Sequence, residues 1–536
     1  MKQHQAPTRT SSGIRNGQVS FVYYILSLLV GFASRKVFLD YLGTDLLGLN
    51  TTAQNLLGFL NLSELGIGTA VAYTLYKPLQ QNNRHSIAEI IALQGWMYRR
   101  IAYLIGGGAI LLMLFFPLIF SKTDVPLEYA YASFAVFLYS SLLTYFFNYK
   151  QVLFSANQQQ YRIIFHYQSV LLLKNIIQIA AVMLLPYPYV GWLVLHVLFS
   201  TLATWLLHRS IHRNYPYLSL SWKEGKRLAG KYPHLLTKIK QVFFHHIATF
   251  ALTQSGPLII FAYTNLTTVA LYANYQLIST TIQSLVQSLF SGIHAGIGNL
   301  VAEGNKQRIL QVFEELFSIR FLLACICCYC LIELMDPFIR IWIGCSYLLP
   351  RSTLYLITGI LYIVLSRQAV ETYIAAHGMY QDIAAPIIET TINIGLSCWL
   401  GYLWGIDGVL TGVLISLVIV VFCWKPYFLF RYGLKCKLRI YIRMYALHLL
   451  CLVVACMSSH FILQELPLPE INNYFTFFLV GFIHFITLVS LLGGMLWLVT
   501  PGIRQFIQRL FNVSIRRNAY CSASQCLLPL HKNGSL

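Results

Sequence analysis

Arg35 and Lys36 stand side by side in an otherwise apolar stretch, VSFVYYILSLLVGFASRKVFLDYLG. A charge at the centre of a bilayer costs roughly 3 kcal/mol on insertion scales, so two cations there call for a chemical reason. Lys174, in SVLLLKNIIQIAAVML, and Arg367, in LYIVLSRQAVETY, raise the same question. What such cations can do is hold an anion. A phosphate oxygen about 4 Å from a guanidinium gains about 4 kcal/mol at an effective dielectric near 20, which offsets much of the cost of dehydrating it.

Polar side chains accompany these cations at helical spacing. Ser20, Tyr24, Ser27, Gly31, Ser34 and Arg35 form one stripe, and Asn50, Gln54, Gly58, Asn61 and Glu64 a second. Tyr167, Lys174 and Gln178 share a third, with Asn175 adjacent, and Gln276, Thr280, Gln283 and Gln287 a fourth. Stripes of this kind are expected to turn away from lipid and line a common wet cavity. The acids available within apolar segments are Glu64, Glu333, Glu371 and Glu389, and Glu333 lies near a segment end, which leaves the cavity weakly positive. Arg35, Lys36, Lys174 and Arg367 are therefore the candidate substrate-binding cations. Asn50, Gln54, Asn61, Glu64, Gln178, Gln276, Gln283, Glu371 and Glu389 are the candidate polar or ion-coupling residues.

Plainer readings exist for each. Lys36 and Arg35 lie about two-thirds along their segment and can snorkel towards headgroups. Lys174 can sit in a packing pair with a Glu. Arg367 has Glu371 one turn on, the spacing of a local ion pair. The glutamine face of the fourth stripe can serve as interhelical glue. The run CICCYC (325–330) lies in an apolar helix without His or loop spacing and reads as packing. His246 reads as interfacial, whereas His245 can face the cavity. No nucleophile–base pattern, phosphate-cradling glycine loop or zinc spacing occurs, and no metal site or other cofactor is expected.

The elements that carry these residues follow from composition. Of 536 residues, 57% are hydrophobic and only 10% charged, where a soluble domain is about 25% charged. High hydropathy over nearly the whole length predicts an all-α polytopic membrane protein, because only helices and closed barrels satisfy their backbone groups in lipid. The alternation of a barrel is absent. We read about 14 spans: 19–41, 45–76, 97–120, 128–153, 162–185, 188–210, 241–264, 267–300, 315–336, 350–376, 383–404, 407–430, 441–463 and 474–499. The first is expected to remain as a signal anchor, since no cleavage site follows it. The twelve Cys fall mostly in apolar segments, so no disulfide framework is expected.

The net charge of +20 would suggest nucleic acid in a soluble chain. Here position explains it. With both termini on the cytoplasmic side, Lys122, Arg340 and Arg351 are assigned to the outer side and Arg35, Lys36, Lys174 and Arg367 to span interiors, while the other Lys and Arg lie in cytoplasmic segments or towards the cytoplasmic ends of spans. That asymmetry orients the chain and removes nucleic acid as a partner. The outer connections are too short to house an enzyme domain. The largest inner connection carries WKEGKRLAGKYPHLLTKIK and is expected to lie on the anionic leaflet. The expected organisation is an N-terminal lobe (1–212), a basic linker (213–240), a C-terminal lobe (241–430), two extra spans (431–500) and a basic tail (501–536). That tail opens with GIRQFIQRLFNVSIRR (502–517), which reads as an interfacial amphipathic helix.

A shift of 222 residues places span one on span seven and span two on span eight. Tyr41 then meets Tyr263, Gln54 meets Gln276, and Asn83 meets Asn305. Six spans per half leave both halves in one orientation, the pattern of parallel transporter repeats.

The segment FASRKVFLDYLGTDLLGLNTTAQNLLGFLNLSELGIGTAVAYTLYKPLQQNNRHSIAEI (32–90) resembles the opening of Wzx-type polysaccharide flippases of the multidrug/oligosaccharidyl-lipid/polysaccharide (MOP) exporter superfamily. The shared elements are an Arg late in span one, the YLGTDLLGL corner, SELGIGTA, and YKPL before a basic loop; HGMYQ (377–381) is similar to that family's later turn. The resemblance implies two pseudo-symmetric six-helix lobes around a central cavity plus two C-terminal helices. It implies an undecaprenyl-pyrophosphate-linked oligosaccharide moved from the cytoplasmic to the periplasmic leaflet of the bacterial inner membrane by alternating access, with Arg35 on the pyrophosphate. Implied partners are that lipid-linked glycan, membrane lipid, and a polysaccharide polymerase with its chain-length machinery; H⁺ or Na⁺ is the implied coupling ion. A multidrug antiporter or a lipid II flippase shares the architecture, although an antiporter for cations favours acidic cavity residues. A membrane-embedded polymerase or ligase is the alternative of another class, and the short outer loops speak against it.

Overall fold

The computed structural model describes residues 9–61, 67–157, 159–233, 255–290, 297–377, 379 and 384–509, apart from single positions within these ranges. Every regular element among the described residues is helical. The longer helices are α1 (Arg9–Leu60), α2 (Ile67–Gln80), α3 (Arg84–Leu114), α4 (Leu127–Phe146), α5 (Ser169–Leu184), α6 (Pro188–Asn214) and α7 (Leu266–Phe290). They continue as α8 (Lys306–Trp342), α9 (Arg351–Ser366), α10 (Gln368–Ala376), α11 (Ala384–Ser416), α12 (Leu438–Glu465) and α13 (Tyr474–Val499). The chain is an all-α, multi-pass membrane protein.

Nine helical stretches among the described residues are long and apolar enough to cross a bilayer, or ten if the pair Leu127–Phe146 and Asn148–Ala156, bent by 57°, counts as one. The difference from 14 has local causes. α1 breaks at Gly43, whose φ of 81° suits a residue without Cβ. That is the gap expected between spans 19–41 and 45–76. α11 breaks at Trp404 and Gly405, the gap between spans 383–404 and 407–430. α7 is long enough at 25 residues, but its Thr and Gln residues dilute its hydropathy. Most of span 241–264 lies outside the described residues.

The two arms of α11 close on one another through small residues. A Cβ on Gly408 would lie 1.9 Å from the Leu400 carbonyl oxygen, and one on Gly412 would lie 2.4 Å from the Ser397 amide nitrogen. Ser397 Oγ also donates to the Val409 carbonyl at 3.0 Å. Glycines let membrane helices approach to backbone contact, where dispersion and short hydrogen bonds replace the hydrophobic drive that lipid cannot supply.

The chain forms two compact units. The first comprises Met1–Ile278, Trp342–Leu349 and Ile383–Ile415. Its core gathers Tyr98, Phe116, Phe134, Tyr145, Tyr149 and Phe154. The short segment 342–349 is tied in at both ends. Trp342 Nε1 donates to the Phe32 carbonyl at 3.1 Å, and the Leu349 amide donates to Tyr275 Oη at 3.0 Å. The second unit comprises Ser279–Ile341, Pro350–Asp382 and Ser416–Leu536. Phe313, Phe317, Phe321, Tyr441, Tyr445 and His448 build its aromatic centre, with edge-on contacts such as Phe317–His448 at 5.3 Å between centroids.

The start of the basic connection is docked on protein. Gly225 abuts the Trp96 side chain, and the Arg99 guanidinium stands 4.2 Å over the Trp222 ring. Lys231 and Tyr232 both donate to the buried Glu89 carboxylate at 2.7 Å. Burial, then that carboxylate, push the Tyr232 phenol up to about 12. The rest of this connection, with His245 and His246, lies outside the described residues. The first turns after α13 also pack on protein. Ile503 is buried, and Arg509 donates to Glu315 at 2.9 Å. The remainder of the 502–517 segment lies outside the described residues.

Candidate functional site

Arg35 is half-buried on α1, and its Nε donates to Asn274 Oδ1 on α7 at 2.8 Å. Asn274 is fully buried, and its own Nδ2 has no partner among the described residues. The pairing is one charge with one neutral amide. A hydrogen bond to a charged group contributes about 1.5–3 kcal/mol, comparable with the insertion cost, so Asn274 makes Arg35 tolerable without cancelling its charge. Lys36 behaves differently. It faces Asp40 one turn on at 3.5 Å, with both side chains more than 40% exposed, and such a pair contributes little.

Lys174 is buried at the centre of α5. Its Nζ lies 3.3 Å from His196 Nδ1 on α6. His196 is edge-on to Phe137 at 5.3 Å and close to Trp192 at 5.6 Å. One turn along α5, Gln178 Nε2 donates to the Trp192 carbonyl at 2.8 Å. The Lys174–Gln178 face thus meets α6, and Lys174 has an imidazole beside it rather than the Glu of the plainer packing-pair reading. No acid among the described residues lies within ion-pairing distance of Arg35 or Lys174.

Asn50 is buried and accepts from Tyr189 Oη at 2.9 Å. Asn61 accepts from Ser141 Oγ at 3.0 Å and from Tyr145 Oη at 3.1 Å. Gln54 and Gln276 are exposed, and Gln283 is half-buried. On α11, Glu389 is buried, as is Asn393 one turn on. Glu64 lies outside the described residues.

Arg367, in the second unit, has its Nε 3.6 Å from Glu371. Lys425 Nζ reaches the same carboxylate oxygen at 2.6 Å. The local pair of the sequence is therefore a triad of two cations on one acid, with one positive charge in excess. Asn274, His196 and Lys425 escape a reading by stripes. Asn274 is two residues from the glutamine face of α7, and His196 and Lys425 lie in segments without an evident polar stripe. A polar residue within a long apolar run was the available signal.

No family model and no curated protein matches this chain. Solved structures do. A lipid II flippase, MurJ, in an inward closed conformation superposes with a TM-score of 0.60 at 15% identity, covering 89% of this chain and 98% of that one. An inward-facing multidrug resistance MATE transporter of the MOP superfamily superposes with a TM-score of 0.57 at 13% identity, covering 78% and 99%. At these identities the likeness is one of fold: the chain is built on the architecture that a lipid flippase and a multidrug transporter share.

Proposed function

We propose that this protein moves an undecaprenyl-pyrophosphate-linked oligosaccharide from the cytoplasmic to the periplasmic leaflet of a bacterial inner membrane, for cell-surface polysaccharide assembly. The supporting observation is that Arg35 and Lys174, both within apolar helices, are held by neutral groups, Asn274 and His196. Their charges remain available to an anion. A carrier of organic cations would need the opposite arrangement. The headgroup diphosphate meets these cations, the sugars occupy the amide-lined space, and the polyprenyl tail stays in lipid. Alternating access then presents the headgroup outward. A buried acid such as Glu389 is suited to couple the cycle to H⁺ or Na⁺. The likeness to a lipid II flippase is compatible with this reading, since both substrates join a polyprenyl chain to a diphosphate-linked sugar headgroup.

The test replaces Arg35 and Lys174 singly with Gln and measures lipid-linked glycan on each leaflet at matched protein abundance. Each loss should lower outward transport about tenfold or more, as expected for one charge-assisted contact, and Arg35→Lys should retain part of it. Lipid II offered in parallel separates the two substrates. Normal transport of both lipids by both Gln variants would overturn the proposal.

A further inference from the structure

Arg320 is the most anomalous cation in the second unit. It lies on α8, a helix of 37 residues, about 6 Å along the axis from its midpoint. Only 3% of its surface is exposed. Its Nε and Nη1 have no hydrogen-bond partner among the described residues. The Phe290 ring lies against it, its centroid 3.8 Å from the guanidinium carbon. No carboxylate among the described residues pairs with it; Glu315, five residues earlier, is taken by Arg509.

A ring face offsets part of the cost of a buried cation, but it accepts no in-plane N–H. A buried charge with two unmet donors is a costly arrangement that proteins rarely keep without a compensating partner. Its neighbours on α8 are already committed. Ser318 Oγ lies 2.9 Å from His448 Nε2, and Phe317 and Phe321 pack on that same histidine. Packing alone could be served there by an uncharged side chain of similar length.

We propose that Arg320 is an anion-binding residue of the second unit, with Phe290 covering it in this conformation. When Phe290 moves aside, the free Nε–H and Nη1–H meet oxygen acceptors of the diphosphate headgroup. Arg320 thus acts as a gated substrate contact, and Phe290 as the plug that keeps water and small anions off it between cycles. This rests on the lipid-diphosphate reading above.

The test uses the purified full-length chain in detergent and two probes, undecaprenyl pyrophosphate and undecaprenol. Ligand-induced shifts in Tm are compared for the wild type, Arg320→Gln, Arg320→Met and Arg320→Lys. The expected result is a Tm shift for the wild type with the diphosphate lipid only. Apparent affinity should fall about tenfold or more in the Gln and Met variants, be partly kept by Lys, and leave the ligand-free Tm close to wild type. Equal diphosphate shifts in the wild type and the Gln variant overturn the role of Arg320 alone. No shift in any protein overturns the lipid-diphosphate reading. Gln and Met variants that both fail to fold assign Arg320 to packing and overturn the inference.

Discussion

At the residue scale the intramembrane cations differ in what holds them. Arg35 and Lys174 have neutral partners, whereas Arg367 shares Glu371 with Lys425. Loss of Arg367 should therefore affect transport less than loss of either of the others. Glu371 is the member of the triad that stability depends on, because Glu371→Gln leaves two cations unpaired. With side chains 19–27% exposed, that loss should cost about 2 kcal/mol, below the 3–5 kcal/mol of a fully buried broken pair. Arg367→Gln should be nearly neutral, because Lys425 holds the carboxylate at the shorter distance. A double-mutant cycle read by Tm should give Glu371 a larger coupling to Lys425 than to Arg367; the reverse order would contradict the geometry. The cations and the i, i+4 pair were legible in the sequence, because both depend on local spacing. The partners Asn274 and His196 were not. Arg35 and Asn274 are 239 residues apart, and which neutral group meets a charge is decided by tertiary packing.

At the element scale, helix breaks were the more legible feature. Hydropathy separates spans 19–41 from 45–76, and 383–404 from 407–430, at the places where the backbone leaves helical geometry, Gly43 and Trp404–Gly405. Polar residues and a glycine mark both turns, and regular hydropathy on either side measures the arms. What hydropathy does not carry is how closely the arms pack. That lies in Gly408 and Gly412, where a Cβ would meet main-chain atoms. Gly412→Leu should force the arms of α11 apart, costing about 3 kcal/mol or more, and protein accumulation should drop sharply. Gly395, on the same helix, is exposed and has nothing within 4 Å of an added Cβ. Gly395→Ala should be neutral or stabilising by up to about 1 kcal/mol. Detergent gel filtration of the two variants checks the contrast, and equal behaviour would mean that the arms are not in backbone contact. Stripe spacing on α5 likewise carries no sign of the α6 groups that meet it, His196 at Lys174 and the Trp192 carbonyl at Gln178.

At the scale of the whole molecule, the 222-residue register recurs in one contact. Thr267 Oγ1 donates to Asp45 Oδ1 at 2.8 Å, and the two residues are 222 positions apart. The register that aligns the two halves of the sequence thus pairs two residues that touch. A repeat in the sequence does not say which face of the membrane each turn occupies; the Lys/Arg asymmetry supplies that. The chain carries its own reporter of orientation. Cys345 is exposed, in the turn between α8 and α9, and Arg340 and Arg351 flank it. Cys521 and Cys526 belong to the basic C-terminal segment. If the basic faces are cytoplasmic, a membrane-impermeant maleimide applied to intact cells with a permeabilised outer membrane labels Cys345, and Cys345→Ser abolishes the signal. Cys521 and Cys526 then react only after the inner membrane is broken. The opposite pattern would reverse the orientation of every span. The direction of transport proposed here would reverse with it, because the cations would then be entered from the other leaflet.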